Sequence, residues 1–536
     1  MRIIVPLQGL LQGRSGLALG VILPLLSFYF IQLRPKQQQQ QQQKKKKKNS
    51  SRRSTLGDSQ LLPLPVELAA AANSRSENSE QQQDPQKHSS EATASEIHNN
   101  DFSQPKNLKE TIISERALWV SKTFNSASSL VASNAYDPLQ NPRGCIELGV
   151  SLNKLCLDLI QDWLSTHISN APGHATFPNL EEAANCEGMH DYGPMRTVLA
   201  NFMGIVMGGR LTFDPTGVII TAGAGAAIEM LVFCLAQPGE AILIPSPYYH
   251  GFDKDIKWRT RVEILPVPCF AHNNFRITRN DLEIAYCSAL ERGLTVRAVL
   301  LSNPSNPVGD VLDRATLQSI ISFVHDKNIH LISDEVYAGC VFEESDFVSV
   351  AEILDSFAEA SWDRSRVHII YGISKDLGLV GFRVGVVYSW NVQLIAAASK
   401  LTRFSPTSTH TQGLLIALLS DKIFVTNFLA ENRRRVTQRY QKVVTALDQI
   451  GIVFARASGG IFCWMHLGHC MRSSSQEEET KLHKYLLHDI GVHLTPGYTC
   501  SCPEPGWFRI CYAAVDDQTL TIALDRLQKL GQGVQY

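Results

Sequence analysis

From about residue 110 onward, hydrophobic positions come in short runs, each closed by a polar turn and followed by a helical stretch. "GVIITAG" leads into "AAIEMLVFCLAQPG", and "EAILIPSPYY" follows. "AVLLSNPSNPVGD" precedes "RATLQSIISFVHDKN", and "IHLISDEVYAG" and "RVHIIYGISKD" complete the series. Runs of Val, Ile and Leu without polar alternation predict strands buried on both sides. Helices between them predict crossover connections. The pattern is that of an α/β fold with a mostly parallel sheet covered on both faces. In such sheets ligands sit beyond the carboxyl ends of the strands, so the polar residues ending each run are the candidates for chemistry. The stretch from about 405 to 531 mixes helices and short strands and predicts a second, smaller α/β subdomain.

The N-terminal part has a different texture. Residues 15–33, "SGLALGVILPLLSFYFIQL", carry no charge for nineteen residues. That is nearly the length of a membrane span. Lys and Arg cluster after it, so a spanning helix would leave the remainder in the cytosol. No small-residue cleavage site follows, and Pro24 with two glycines weakens a helix, so an unstructured extension is preferred over an anchor. A polyglutamine run, Gln37 to Gln43, and five lysines come next. From there to about 105 the chain is too polar to offset chain entropy by burial and is expected to be disordered. The predicted organisation is an extension over 1–105 and a domain over 106–536. Within that domain a large subdomain covers about 186–400 and a small one about 125–185 plus 401–531.

Composition narrows the function classes. The chain has 536 residues and a formal net charge of −1, without the basic excess that nucleic-acid binding requires. Twelve cysteines without a paired framework suit a reducing, cytoplasmic setting. Cys500 and Cys502 form a C-x-C, and His466, His469 and Cys470 sit close together. No second ligand cluster accompanies them, so no metal is expected.

The strand ends carry the chemistry. "AGAGAA", Ala222 to Ala227, joins a strand to a helix, and its small residues let backbone N–H groups approach an anion. Asn303 and Asn306 follow a strand in "LSNPSNP". Alone they read as a proline turn. Asp334 ends "LISD", and Tyr337 is three residues on. Lys375 follows "VHIIYGIS", and Arg383 lies eight residues further. A lysine at the end of a buried strand is costly unless it has a task, and a desolvated amine is a Schiff-base nucleophile. Pyridoxal 5'-phosphate (PLP) offers an aldehyde for a lysine, a ring nitrogen for a carboxylate, a phenolate oxygen for Tyr and Asn donors, and a phosphate for Arg and a helix N-terminus.

With these residues in view, the chain resembles fold type I PLP enzymes of the class-I aminotransferase family. It is most similar to the 1-aminocyclopropane-1-carboxylate (ACC) synthase branch, and within it to animal ACC synthase-like proteins. The stretches that carry the likeness include "NPRGCIELGVSLNKLCLDL", "LSNPSNPVG", "ISDEVYA", "SKDLGLVGFRVGVVYSWN" and "EPGWFRICYA", within about residues 125 to 530. The resemblance implies that Lys375 forms the Schiff base and moves the substrate α-proton, and that Asp334 holds the ring nitrogen. It implies that Tyr337 and Asn306 bond the phenolate oxygen and that Tyr249 stacks on the ring. Arg383 and the amides of Ala224 and Gly225 would hold the phosphate, and Arg509 the substrate carboxylate. Tyr192, in "HDYG", would reach across to a partner subunit, which implies a homodimer.

Three positions depart from the family pattern. Leu152 stands beside the substrate, where plant ACC synthases carry a glutamate. Gly225 and Gly372 stand where phosphate-binding hydroxyl residues are usual. Three readings follow. The first is a PLP enzyme of amino-acid metabolism, a transaminase or a lyase. The second is an ACC synthase acting on S-adenosylmethionine, and the third a PLP-binding homodimer scaffold with weakened catalysis.

Overall fold

The structure, a computed structural model, describes residues 113–122, 131–168, 193–343, 345–356 and 362–531. The expectations for 1–105, including the apolar stretch 15–33, and for Tyr192 lie outside the described residues.

The first strand, β1 (Ile146–Glu147), belongs to a small sheet and is followed by the seven strands of the main one. These are β2 (Val218–Thr221), β3 (Ala241–Ser246), β4 (Glu263–Pro268), β5 (Val296–Ser302), β6 (His330–Asp334), β7 (Val367–Gly372) and β8 (Gly385–Ser389). Their order is β2-β8-β7-β6-β5-β3-β4. All neighbours are parallel except at β8, which runs antiparallel to both β2 and β7. Strands β2 and β7 are buried at every position, as unbroken apolar runs require when both faces are covered.

Helices cover both faces. The first residue after Thr221 and Ala222 is Gly223, and α1 (Ala224–Leu235) begins directly behind it. The close approach is possible only without side chains. A Cβ at Gly385 on β8 would lie 2.3 Å from the Gly223 carbonyl carbon, and Gly223 itself has φ 96°. Next comes α2 (Phe252–Thr260), then α3 (Arg314–Asp326), whose N-terminus is capped by the Asp313 carboxylate accepting from Thr316 N–H at 2.8 Å.

After the sheet comes α4 (Ile373–Asp376), a single turn that carries Lys375, and later α5 (Lys422–Gln449), 28 residues long. The C-terminal part holds β9 (Val453–Phe454), β10 (Phe462–His466), β11 (Val492–His493), β12 (Thr495–Pro496) and β13 (Trp507–Cys511). Strands β12-β13-β10-β9 form an antiparallel sheet, and β1 pairs in parallel with β11. An N-terminal segment is thereby joined to the C-terminal region, and both lead toward the carboxyl edge of the main sheet.

Candidate active site

Parallel strands place their C-terminal residues along one edge. Asp334 ends β6, and Lys375 stands three residues beyond Gly372, the end of β7. The Lys375 amine donates to the Ser151 carbonyl at 2.7 Å and lies 5.9 Å from the Tyr337 ring centre. Burial pushes its pKa down to about 8, with Arg509 acting in the same direction and Cys511 and Asp334 opposing. That brings the neutral, nucleophilic amine within reach of physiological pH.

Asp334 is 7% exposed, and its carboxylate receives only the long 3.4 Å approach of Val336 N–H among the described residues. Burial raises its pKa to about 7. Tyr337, also buried, packs edge-on against Phe462 at 5.4 Å. Tyr249 sits among these groups, and burial together with the Asp255 charge pushes its hydroxyl up to about 12. Its ring folds back over Gly251, where a Cβ would lie 2.3 Å from the ring.

Arg509 on β13 is fully buried. It donates to Asn306 Oδ1 at 2.8 Å, to the Gly149 carbonyl at 2.7 Å and to Thr495 Oγ1 at 3.0 Å, while its Nε has no partner. Among the described residues no carboxylate pairs with it. A buried guanidinium held only by neutral acceptors is costly until an anion arrives. Asn306, expected to face the cofactor, thus gives its carbonyl oxygen to Arg509, leaving its amide N–H groups for a ligand.

The anion cradle is at the start of α1, which has no side-chain N-cap. Arg383 lies over Gly223, donating to the Ala222 and Val380 carbonyls at 3.0 and 3.1 Å. It has φ 55°, a left-handed conformation that arginine adopts at a cost, and its carbonyl accepts from the Thr407 hydroxyl at 3.2 Å. The absent side chain of Gly225 faces Asp255, whose carboxylate would lie 3.0 Å from a Cβ there.

A Cβ at Gly372 would lie 3.9 Å from that of Ala224, on the cradle side, and 3.0 Å from the Val384 carbonyl. Gly372→Ser is therefore expected to tighten PLP binding roughly tenfold, as one added charge-assisted hydrogen bond would, with a small shift of β8. A cofactor titration read by protein fluorescence checks this, and an unchanged or weaker Kd contradicts it.

Sequence reasoning missed the support under Lys375. Asn153 Nδ2 donates to the Lys375 carbonyl and to Asn432 Oδ1 on α5, both at 2.9 Å. Next to Lys375, Asp376 accepts from the Tyr371 hydroxyl at 2.7 Å and from Gly339 N–H at 3.0 Å. The Cys511 thiol, two residues from Arg509 and on the same face of β13, donates to the Leu152 carbonyl at 3.4 Å. The period-2 spacing of Arg509 and Cys511 was a usable signal. Asn432 gave none. Leu152 itself adjoins Ser151, which holds the lysine, so the position singled out from the sequence borders the Lys375 amine.

Buried titratable groups set a pH dependence. Burial raises Asp334, Glu335 and Asp376 to about 7. A carboxyl raised by folding binds its proton more tightly in the native state, so stability is lost as pH rises from the ordinary carboxyl range to about 7, and no further above it. Burial lowers His250 and His368 to about 3, and His330 and His483 to about 4. These imidazoles remove stability as pH falls below their ordinary value of 6.5, because the unfolded chain takes up protons that the folded one refuses. From about pH 4 to 6.5 the two sets nearly cancel, so the cofactor-free protein is expected to hold its Tm across that range, lose it between about pH 6.5 and 7.5, and stay level above. Thermal unfolding across pH 5 to 9, on the order of one unit per step, checks it, and a Tm that climbs steadily to pH 9 contradicts it.

The lysine, carboxylate and anion cradle at one sheet edge fit PLP. The buried, weakly partnered Asp334 suits a protonated ring nitrogen, and the uncapped helix with Arg383 suits a phosphate. These features define a PLP-dependent enzyme of fold type I, in which the bound cofactor supplies an aldehyde for the lysine and a ring that accepts electrons from the substrate. The chain belongs to the family described as "Aminotransferase class I and II", whose model matches residues 146–527. It is 41% identical to 1-aminocyclopropane-1-carboxylate synthase 6 of Oryza sativa subsp. japonica, over 99% of this chain and 93% of that protein. It is 39% identical to "Probable aminotransferase ACS12" of Arabidopsis thaliana, over 99% of both chains. Among solved structures, aspartate aminotransferase from Thermotoga maritima matches with a TM-score of 0.59 at 22% identity, covering 78% of this chain and 99% of that one. At that identity the likeness speaks for the fold.

Proposed function

We propose that the protein uses Lys375 as the Schiff-base residue for PLP and as the base that moves the α-proton of a small amino acid, in a transamination or an elimination. The carrying observation is the Lys375 amine, with its pKa lowered to about 8. It shares one pocket with the weakly partnered carboxyl of Asp334 and with Arg509, a buried guanidinium awaiting an anion. In this reading Asp334 stabilises the positive ring nitrogen, and Tyr337 and the Asn306 amide donate to the phenolate oxygen. Tyr249 covers the ring, Arg383 with the Ala224 and Gly225 amides holds the phosphate, and Arg509 takes the substrate carboxylate. The active unit is a homodimer to which Tyr192 contributes across the interface, and it works in the cytoplasm.

A second reading, ACC formation from S-adenosylmethionine, is favoured by the 41% identity to an enzyme of that name. Leu152 speaks against it, because an apolar side chain stands where a carboxylate is expected near the substrate. The finer placement in an animal branch finds no support in the relatives named above, which are plant proteins. The test is an amino-acid panel on the loaded protein, followed by the spectral change of half-transamination, beside an assay for ACC release from S-adenosylmethionine. Spectral turnover with an ordinary amino acid and no ACC supports the first reading. ACC release replaces it with the second, and neither signal from a loaded protein overturns both.

A further inference from the structure

Strands β1 and β11 pair with Glu147 opposite His493. His493 Nδ1 lies 2.7 Å from Glu147 Oε1, and the same oxygen accepts from Gly149 N–H at 2.8 Å. The Gly149 carbonyl then accepts from Arg509 Nη2 and from the Thr495 hydroxyl, each at 2.7 Å. A continuous chain of hydrogen bonds thus runs from the Glu147–His493 pair to the guanidinium. The His493 ring packs on the bare Gly149, where a Cβ would lie 2.7 Å from the ring. The pair is sheltered, with the two side chains 8% and 26% exposed, so water competes less for its hydrogen bond than at an open surface. Gly149 needs such a fixture. A glycine is the freest point of a backbone, yet its carbonyl holds one arm of a guanidinium whose Nε has no partner.

We propose that the Glu147–His493 pair is a positioning device for Arg509: it fixes the Gly149 carbonyl and thereby sets affinity for the substrate carboxylate. The inference rests on the reading of Arg509 as the carboxylate site. It predicts an effect confined to ligands that carry a carboxylate, because the cofactor's own contacts lie on other elements.

The experiment uses the loaded full-length protein and two reagents that attack the same cofactor carbonyl, aminooxyacetate and O-methylhydroxylamine. Only the first has a carboxylate. The ratio of their rates, read as loss of visible absorbance, isolates carboxylate recognition from aldehyde reactivity. Glu147→Ala is expected to lower the ratio by about tenfold, the scale of one lost charge-assisted hydrogen bond, while the O-methylhydroxylamine rate moves less than about twofold. Glu147→Gln keeps an acceptor for Gly149 N–H and is expected to restore most of the ratio. Gly149→Ala leaves both side chains in place but displaces the His493 ring, and is expected to lower the ratio as Glu147→Ala does. An unchanged ratio in Glu147→Ala and Gly149→Ala, or an equal fall for both reagents, overturns the positioning role alone. Absence of visible absorbance from the wild-type protein with added PLP overturns the cofactor reading and the inference with it.

Discussion

Lys375→Ala abolishes the visible absorbance of the loaded protein and lowers turnover by about 10⁴-fold or more, the scale for losing a nucleophile and general base in one residue. Two features of the site make the loss so large. The amine is lowered to about 8 chiefly by burial, so a useful fraction is neutral near pH 7. It is also held in place, with its Nζ on the Ser151 carbonyl at 2.7 Å and its backbone carbonyl on Asn153 at 2.9 Å. Alanine removes the amine but leaves the Asn153–Asn432 and Asp376–Tyr371 contacts, so the fold survives. The variant should still bind PLP through the phosphate cradle, more weakly and without the visible band. Steady-state rates and spectra of the purified variant check this. Retained turnover within tenfold of the wild type would be incompatible with it.

Arg509→Lys has the second largest effect, a fall in kcat/KM of roughly 10²–10³-fold, carried mainly by KM. A guanidinium has five N–H groups, so with Asn306, Gly149 and Thr495 held it still offers two to a carboxylate. An ammonium offers a single point of charge and cannot reach all of these groups. Two lost charge-assisted bonds cost about 3–4 kcal/mol, which gives that range. The cofactor should stay bound, because Arg509 does not touch the phosphate cradle, and its absorbance should shift rather than vanish, because Arg509 holds Asn306, the donor to the phenolate oxygen. Kinetics over a substrate series, with the spectrum as control, separate the two functions. A variant whose KM stays within threefold would remove Arg509 from the carboxylate site.

Much of this site was legible because a parallel sheet sorts chemistry by position. The unbroken runs that end in Asp334 and just before Lys375 must have their carboxyl ends on one edge, and the structure has β6 and β7 as parallel neighbours. The Ala222 to Ala227 stretch was legible for the same reason, as a strand running straight into a helix. What the local pattern could not reveal are contacts between distant segments. His493 and Glu147 are 346 positions apart, and Asn153 and Asn432 are 279 apart. Such pairs depend on how the N-terminal segment crosses to β11 and α5, and nothing in either segment's periodicity encodes the other. Asn306 shows the intermediate case. Its place at the strand end was readable, but its bond to Arg509 required β13 to arrive from 203 positions away.

The identity of the Schiff-base residue is the central claim, and chemical trapping tests it most directly. The purified protein is loaded with PLP, reduced with borohydride and digested, and the peptides are mapped by mass spectrometry. The account predicts one phosphopyridoxyl group, on the peptide containing Lys375, and none in Lys375→Ala. A label on another lysine, or no label in a protein that shows the visible band, would contradict it.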